Sequence, residues 1–128
     1  MRQIKFRIWD TEDMIYPDQY FNFINASFWN IKTTEEKTIK LDTLNYQSLM
    51  QYTGIKDMEG NEIYEGDILR NFNGKKYVIL WDSGDAGFVS VDLKEYILKP
   101  ESRLDERDLV WVVCEVIGNI HENPELLK

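Results

Sequence analysis

Cysteine and histidine each occur once in the 128 residues, as Cys114 and His121. One cysteine excludes an intramolecular disulfide. One cysteine with one histidine cannot assemble a zinc site of the usual kind from nitrogen and sulfur ligands. Cys114 ends the apolar run 109–114, where a buried, unreactive thiol is expected. A nucleophilic triad or a Cys/His pair would have to use His121, four residues after a strand-like run; a hydrogen-bonded turn histidine is the simpler reading. Long hydrophobic stretches are also missing. The run 109–114 is the longest, far short of the ~20 residues that a membrane-spanning helix needs. Positive charge is scarce: 15 Lys and Arg face 23 Asp and Glu, for a formal net charge of −8. No basic cluster suited to nucleic-acid phosphates interrupts that excess. Arg2, Lys5 and Arg7 are not followed by an apolar segment, so no secretory signal is expected. These absences predict a protein of the cytosol, off the membrane, without cofactor or metal, and with no direct nucleic-acid contact.

What remains is an ordinary globular composition, 43% hydrophobic and 30% charged, enough for one domain or one domain with an ordered extension. A chain of this length buries roughly two-thirds of its unfolded surface and needs no staple. Aromatic residues make up 13% and favour strands as well as cores. Residues 4–8, Ile4-Lys5-Phe6-Arg7-Ile8, alternate apolar and charged, the period of a half-buried strand with Phe6 facing the core. A polar turn, Asp10-Thr11-Glu12-Asp13, follows. Phe21, Phe23, Phe28 and Trp29 mark an aromatic stretch, and residues 38–41 another short β-like run. Residues 42–50 fit either a short helix capped by Asp42 or extended chain.

The centre of the sequence is more explicit. Asp57-Met58-Glu59-Gly60-Asn61 is turn chemistry between β-like segments 51–55 and 62–64. Glu65-Gly66-Asp67 reads as a sharp bend in which glycine supplies positive φ. Asn73-Gly74 then predicts a two-residue hairpin loop, pairing Phe72 with Lys75, Arg70 with Tyr77 and Ile68 with Ile79. Both faces of that hairpin are largely apolar, which predicts cover from N-terminal segments or from another subunit. Asp92 is placed to cap a short helix carrying Leu93, Tyr96 and Ile97, before Pro100. A charged loop at 101–108 precedes a long valine-rich strand expected over 109–117, which Gly118 ends or kinks. Asn123-Pro124-Glu125 has the order of an N-cap, a first-turn proline and an acid.

Residues 57–67 hold five acids and no base, which raises the question of calcium. The spacing rejects it. An EF-hand loop counted from Asp57 puts Glu62 where glycine belongs and Ile68 where the bidentate acid belongs. Counting from Asp82 fails at Leu93. No glycine-rich loop leading into a helix is present for phosphate. The simple reading of the acidity is solubility; the sharper one is a surface that imitates nucleic acid.

Three blocks resemble the YopX-like family of phages and prophages. They are Ile4-Lys5-Phe6-Arg7 with Trp9-Asp10; the stretch Met50-Gln51-Tyr52-Thr53-Gly54-Ile55-Lys56-Asp57 with Gly60 and Glu62-Ile63-Tyr64-Glu65-Gly66-Asp67-Ile68; and residues 115–127. The resemblance spans the chain and implies a phage accessory protein of mainly β architecture, with no catalytic role to carry over. The motif residues themselves read structurally: Gly54, Gly60 and Gly66 suit turns, Asp67 can bond backbone amides, and Tyr52 can pack on Tyr64 across the hairpin.

The expected fold is therefore mainly β: a small SH3-like barrel or strongly bent antiparallel sheet over 65–128, with 1–64 as an N-terminal β extension and a few short helices. The expected function is a non-enzymatic module in the bacterial host cytosol that binds another protein or self-assembles. The alternative is an acidic DNA-mimic inhibitor of a host nucleic-acid enzyme. Glu59, Glu62, Glu65, Trp29 and Trp81 are the candidate interaction surface, with Asp57, Asp67, Asp105, Glu106 and Asp108 as further acids for the mimic. No catalytic, cofactor-binding or metal residue is assigned.

Overall fold

A computed structural model describes residues 4–17, 27–30, 32, 35–38, 49–84, 86–98 and 111–128. The expectations for residues 20–26, 39–48 and 99–110 lie outside these. The fold is mainly β, with two four-stranded antiparallel sheets, one of them curled strongly into a half-barrel, a two-stranded ribbon and little helix. Two compact units divide the chain, one spanning Ile4–Gln51 and the other Tyr52–Lys128.

In the unit Ile4–Gln51, β1 (Phe6–Trp9) pairs antiparallel with β2 (Met14–Ile15) and with the start of β5 (Leu49–Lys56). The Asp10 carboxylate makes the turn between β1 and β2, accepting the Glu12 and Asp13 amides at 3.0 and 2.7 Å. The expected strand forms over Phe6–Trp9, but burial does not follow the alternation, since the neighbours Arg7 and Ile8 are both buried. Phe6 is 39% exposed, whereas Arg7, opposite Met50, is 3% exposed. The Arg7 guanidinium is buried along with its stem, so charge in the sequence does not mark the outer face. β3 (Ser27–Asn30) and β4 (Glu35–Thr38) form the ribbon, with Trp29 opposite Glu36.

In the unit Tyr52–Lys128, the rest of β5 pairs with β6 (Glu62–Tyr64). Tyr52 lies opposite Tyr64, with ring centroids 5.5 Å apart. A bulge follows, containing Gly54 at φ +88°, and the Thr53 hydroxyl closes it by donating to the Ile63 carbonyl at 2.8 Å. Gly54 thus serves a bulge rather than a turn. The second sheet runs β10-β7-β8-β9, from β7 (Asp67–Arg70), β8 (Lys76–Asp82), β9 (Gly87–Asp92) and β10 (Glu115–Asn119).

The β7–β8 register differs from expectation by one residue: Ile68 faces Val78, Leu69 faces Tyr77 and Arg70 faces Lys76. The loop has three residues, closed by Asn71 N–H to the Lys75 carbonyl at 3.0 Å, with Gly74 alone at positive φ (+83°). This is a turn followed by a left-handed glycine, the form that three-residue hairpins favour. A one-residue slip moves side chains to the other face. Ile68 and Val78 therefore join Val89, Val91 and Leu93 in one cluster, while Leu69 and Ile79 join Ile63 and Cys114 in another.

Both faces of the hairpin are covered by the chain's own segments. The first cluster is packed by Tyr96 of α1 (Leu93–Leu98) and by Leu126 and Leu127 of the 3-10 turn Pro124–Leu127. The second is packed by Trp111, Phe88 and Val116. Fully burying each aliphatic side chain contributes about 1.5–3 kcal/mol. Asp92 caps α1 as expected, accepting the Lys94 and Glu95 amides at 2.9 and 3.3 Å. One C-terminal expectation is corrected: Trp111–Val113 is a 3-10 turn, and the strand begins only at Glu115. The expected short terminal helix forms as the 3-10 turn Pro124–Leu127, with Asn123 at its N-cap position and Glu125 in its first turn, but the Asn123 side chain makes no cap bond and instead accepts the Asn119 amide at 3.1 Å.

Candidate functional site

Asp57 organises the most distinctive stretch of the sequence. Its Oδ1 accepts the amides of Glu59 and Asn61 at 2.9 and 2.8 Å, and its Oδ2 accepts the Val116 amide at 2.8 Å. One buried carboxylate thus shapes the turn 57–61 and ties it to the start of β10. Burial pushes the Asp57 carboxyl up, but the Val116, Asn61 and Glu59 amides together with the Asn61 side chain outweigh it and hold the group below its ordinary value. Asp67 is also buried, and accepts the Tyr64 amide at 2.7 Å. The bend between them is set by Gly66, at φ +88°, whose N–H donates to Ile79 O at 2.7 Å and whose carbonyl accepts from Ile120 N at 3.0 Å.

These contacts divide the acidic segment. Asp57 and Asp67 are structural and drop out of the surface considered for mimicry. Glu59 is exposed in the turn, while Glu62, opposite Lys56, and Glu65 are half-buried. Asp105, Glu106 and Asp108 lie outside the described residues. Trp81 is 38% exposed at the end of β8, edge-on to Phe88 with centroids 5.1 Å apart. Trp29 belongs to the other unit. Among the described residues, no group of three His, Cys, Asp or Glu side chains could hold a metal, and no helix is long and apolar enough to cross a membrane. Cys114 is fully buried, and burial raises its thiol pKa, which keeps it protonated and unreactive. The His121 amide bonds the Asn119 side chain at 3.0 Å.

A surface that sequence reasoning missed adjoins the Asp57 turn. The Met58 amide donates to the Cys114 carbonyl at 2.9 Å, bringing the turn against the end of Trp111–Val113. Met58 is 58% exposed, Val112 and Val113 are each 53% exposed, and Ile55 lies exposed at the end of β5. The sequence signal was the run 109–114 itself, whose valines read as a strand core. The 3-10 turn instead brings two of them to solvent.

A crystal structure of protein EF1440 from Enterococcus faecalis is similar to this chain, with 28% identity, a TM-score of 0.54 and coverage of 100% of both chains. No curated protein matches. The model of the family described as YopX protein matches residues 5–128, nearly the whole sequence, and the chain belongs to that family.

Proposed function

We propose that this chain is a non-enzymatic accessory protein of phages and prophages, acting in the host cytosol by binding another protein or a second copy of itself. The observation that carries this reading is the Met58–Cys114 backbone bond, which joins the stretch bearing exposed Ile55 and Met58 to the turn bearing exposed Val112 and Val113. Exposed apolar side chains brought to one region of a surface mark contact sites. A methionine among them suits an adaptable contact, because its side chain is flexible and polarisable. The buried carboxylates of the central block, Asp57 and Asp67, accept backbone amides, which fits a structural role for them. The DNA-mimic alternative loses the same two acids and keeps Glu59, Glu62 and Glu65.

The test is site-specific photo-crosslinking in phage-infected cells, with the reactive group at Val113 or, as a control, at Phe72, which is also exposed. A discrete adduct from Val113 that disappears in Met58→Asp supports the proposal. Equal labelling from Phe72, or none from Val113, refutes it.

A further inference from the structure

The Asn-Gly pair that signalled the β7–β8 hairpin has a chemistry of its own. Asn73 is the one asparagine in the sequence followed by glycine. It is exposed, and its side chain makes no hydrogen bond among the described residues. The other asparagines with described side chains are engaged. Asn61 donates to Asp57, Asn71 accepts two amides, Asn119 bonds Glu122, and Asn123 precedes a proline, which has no amide hydrogen.

Glycine offers its backbone nitrogen without the shielding of a Cβ. Attack of Gly74 N on Asn73 Cγ forms the N–Cγ bond of a succinimide. The side-chain nitrogen leaves as ammonia, taking the proton that Gly74 N gives up. Water then opens the ring at either carbonyl, yielding aspartate or the isoaspartyl isomer. The net change is amide plus water to acid plus ammonia, with no other reactant.

The structure adds a control on this reaction. Gly74 N–H donates to the Asn71 carbonyl at 3.0 Å, while the Asn71 side-chain oxygen accepts the Asn73 and Lys75 amides at 3.0 and 2.9 Å. Three consecutive amides are thus latched to one residue, and the attacking nitrogen is held in place while the turn is closed. We propose that Asn73 is a spontaneous deamidation site whose rate is governed by the grip of Asn71 on the turn. The isoaspartyl product adds a backbone carbon to a three-residue loop and a carboxylate to the hairpin tip, so conversion loosens β7 from β8 at that end.

The full-length protein is incubated at mildly alkaline pH, and acid formation is located by peptide mass mapping with isoaspartate-specific methylation. Conversion is expected to concentrate at Asn73, to run severalfold faster in Asn71→Ala, and to return near the wild-type rate in Asn71→Asp, which keeps an acceptor oxygen. Should Asn71→Ala fail to fold, wild type in urea replaces it, with a severalfold faster rate than in the native protein expected. Conversion at Asn61 matching that at Asn73 overturns the site. Equal rates in wild type and Asn71→Ala, or in native and urea-unfolded protein, overturn the latch.

Discussion

At the scale of single residues, Asp57 and Phe6 carry opposite lessons. Asp57 reads as one acid among five, yet its two oxygens hold four donors, three of them backbone amides. Hydrogen bonds to a charged group contribute about 1.5–3 kcal/mol, so Asp57→Asn is expected to lower stability by about that amount at neutral pH. The pH dependence has a definite sign. The folded carboxyl titrates below its unfolded value, so its contribution is complete above roughly pH 4 and is lost as pH falls through the folded pKa. Urea titrations of both proteins should therefore converge on acidification; a constant gap would show that the charge is not what holds the turn. For Phe6 the alternation reveals a strand but not its inner face, because a charged residue in the pattern, Arg7, is itself buried. With Arg7 and Met50 on the buried side, Met50→Ala is expected to cost about 2–5 kcal/mol. Phe6→Ala should cost clearly less, and equal losses would mean that Phe6 is core after all.

At the scale of elements, strands and turns were legible where local chemistry alone decides them. The Asp57–Asn61 turn and the Asp92 cap satisfy their own amides within a few residues, and the bend at Gly66 announces itself by its glycine although its backbone bonds run to Ile79 and Ile120. Register and helix type were not, because side-chain bonds and packing partners that a hydrophobic pattern does not specify decide them. The β7–β8 loop took three residues where Asn-Gly suggested two, since Asn71 supplies its own oxygen to close the turn. Residues 111–113 coil instead of extending, a choice that valine content could not reveal. Gly118 shows what close packing between a strand and the turn after it demands. A Cβ there would lie 2.6 Å from Asn123 Oδ1 and 2.9 Å from Leu126 Cδ1, inside the bulge that separates Val116 from Gly118 in the register with β7. Gly118→Ala is expected to destabilise by about 1–3 kcal/mol. Adding Asn123→Ala should recover part of that loss in thermal melts, and no recovery would place the strain elsewhere.

At the scale of the whole molecule, the sequence points to self-association through Trp29, Trp81 and two apolar hairpin faces with little chain to cover them. The chain does cover them, one face with α1 and the C-terminal turn, the other with Ile63, Cys114 and Trp111. That removes the hairpin as the reason for an interface and leaves two surfaces of different physics. The group Ile55, Met58, Val112 and Val113 would bind by apolar burial, which salt does not weaken. Glu59, Glu62 and Glu65, in a chain of formal net charge −8, would bind a basic partner through fields that salt screens within about 10 Å at 0.1 M. The two are separable by experiment. Met58→Asp with Val113→Asp changes exposed positions, so unfolding free energies should stay within about 0.5 kcal/mol of wild type. The expected outcome is that self-association in sedimentation, or adduct formation with the partner captured at Val113, survives added salt and is lost in this double variant. Association that fades with salt, persists in the double variant and vanishes in Glu59→Lys, Glu62→Lys, Glu65→Lys would move the working surface to the acids, and with it the function to mimicry of nucleic acid.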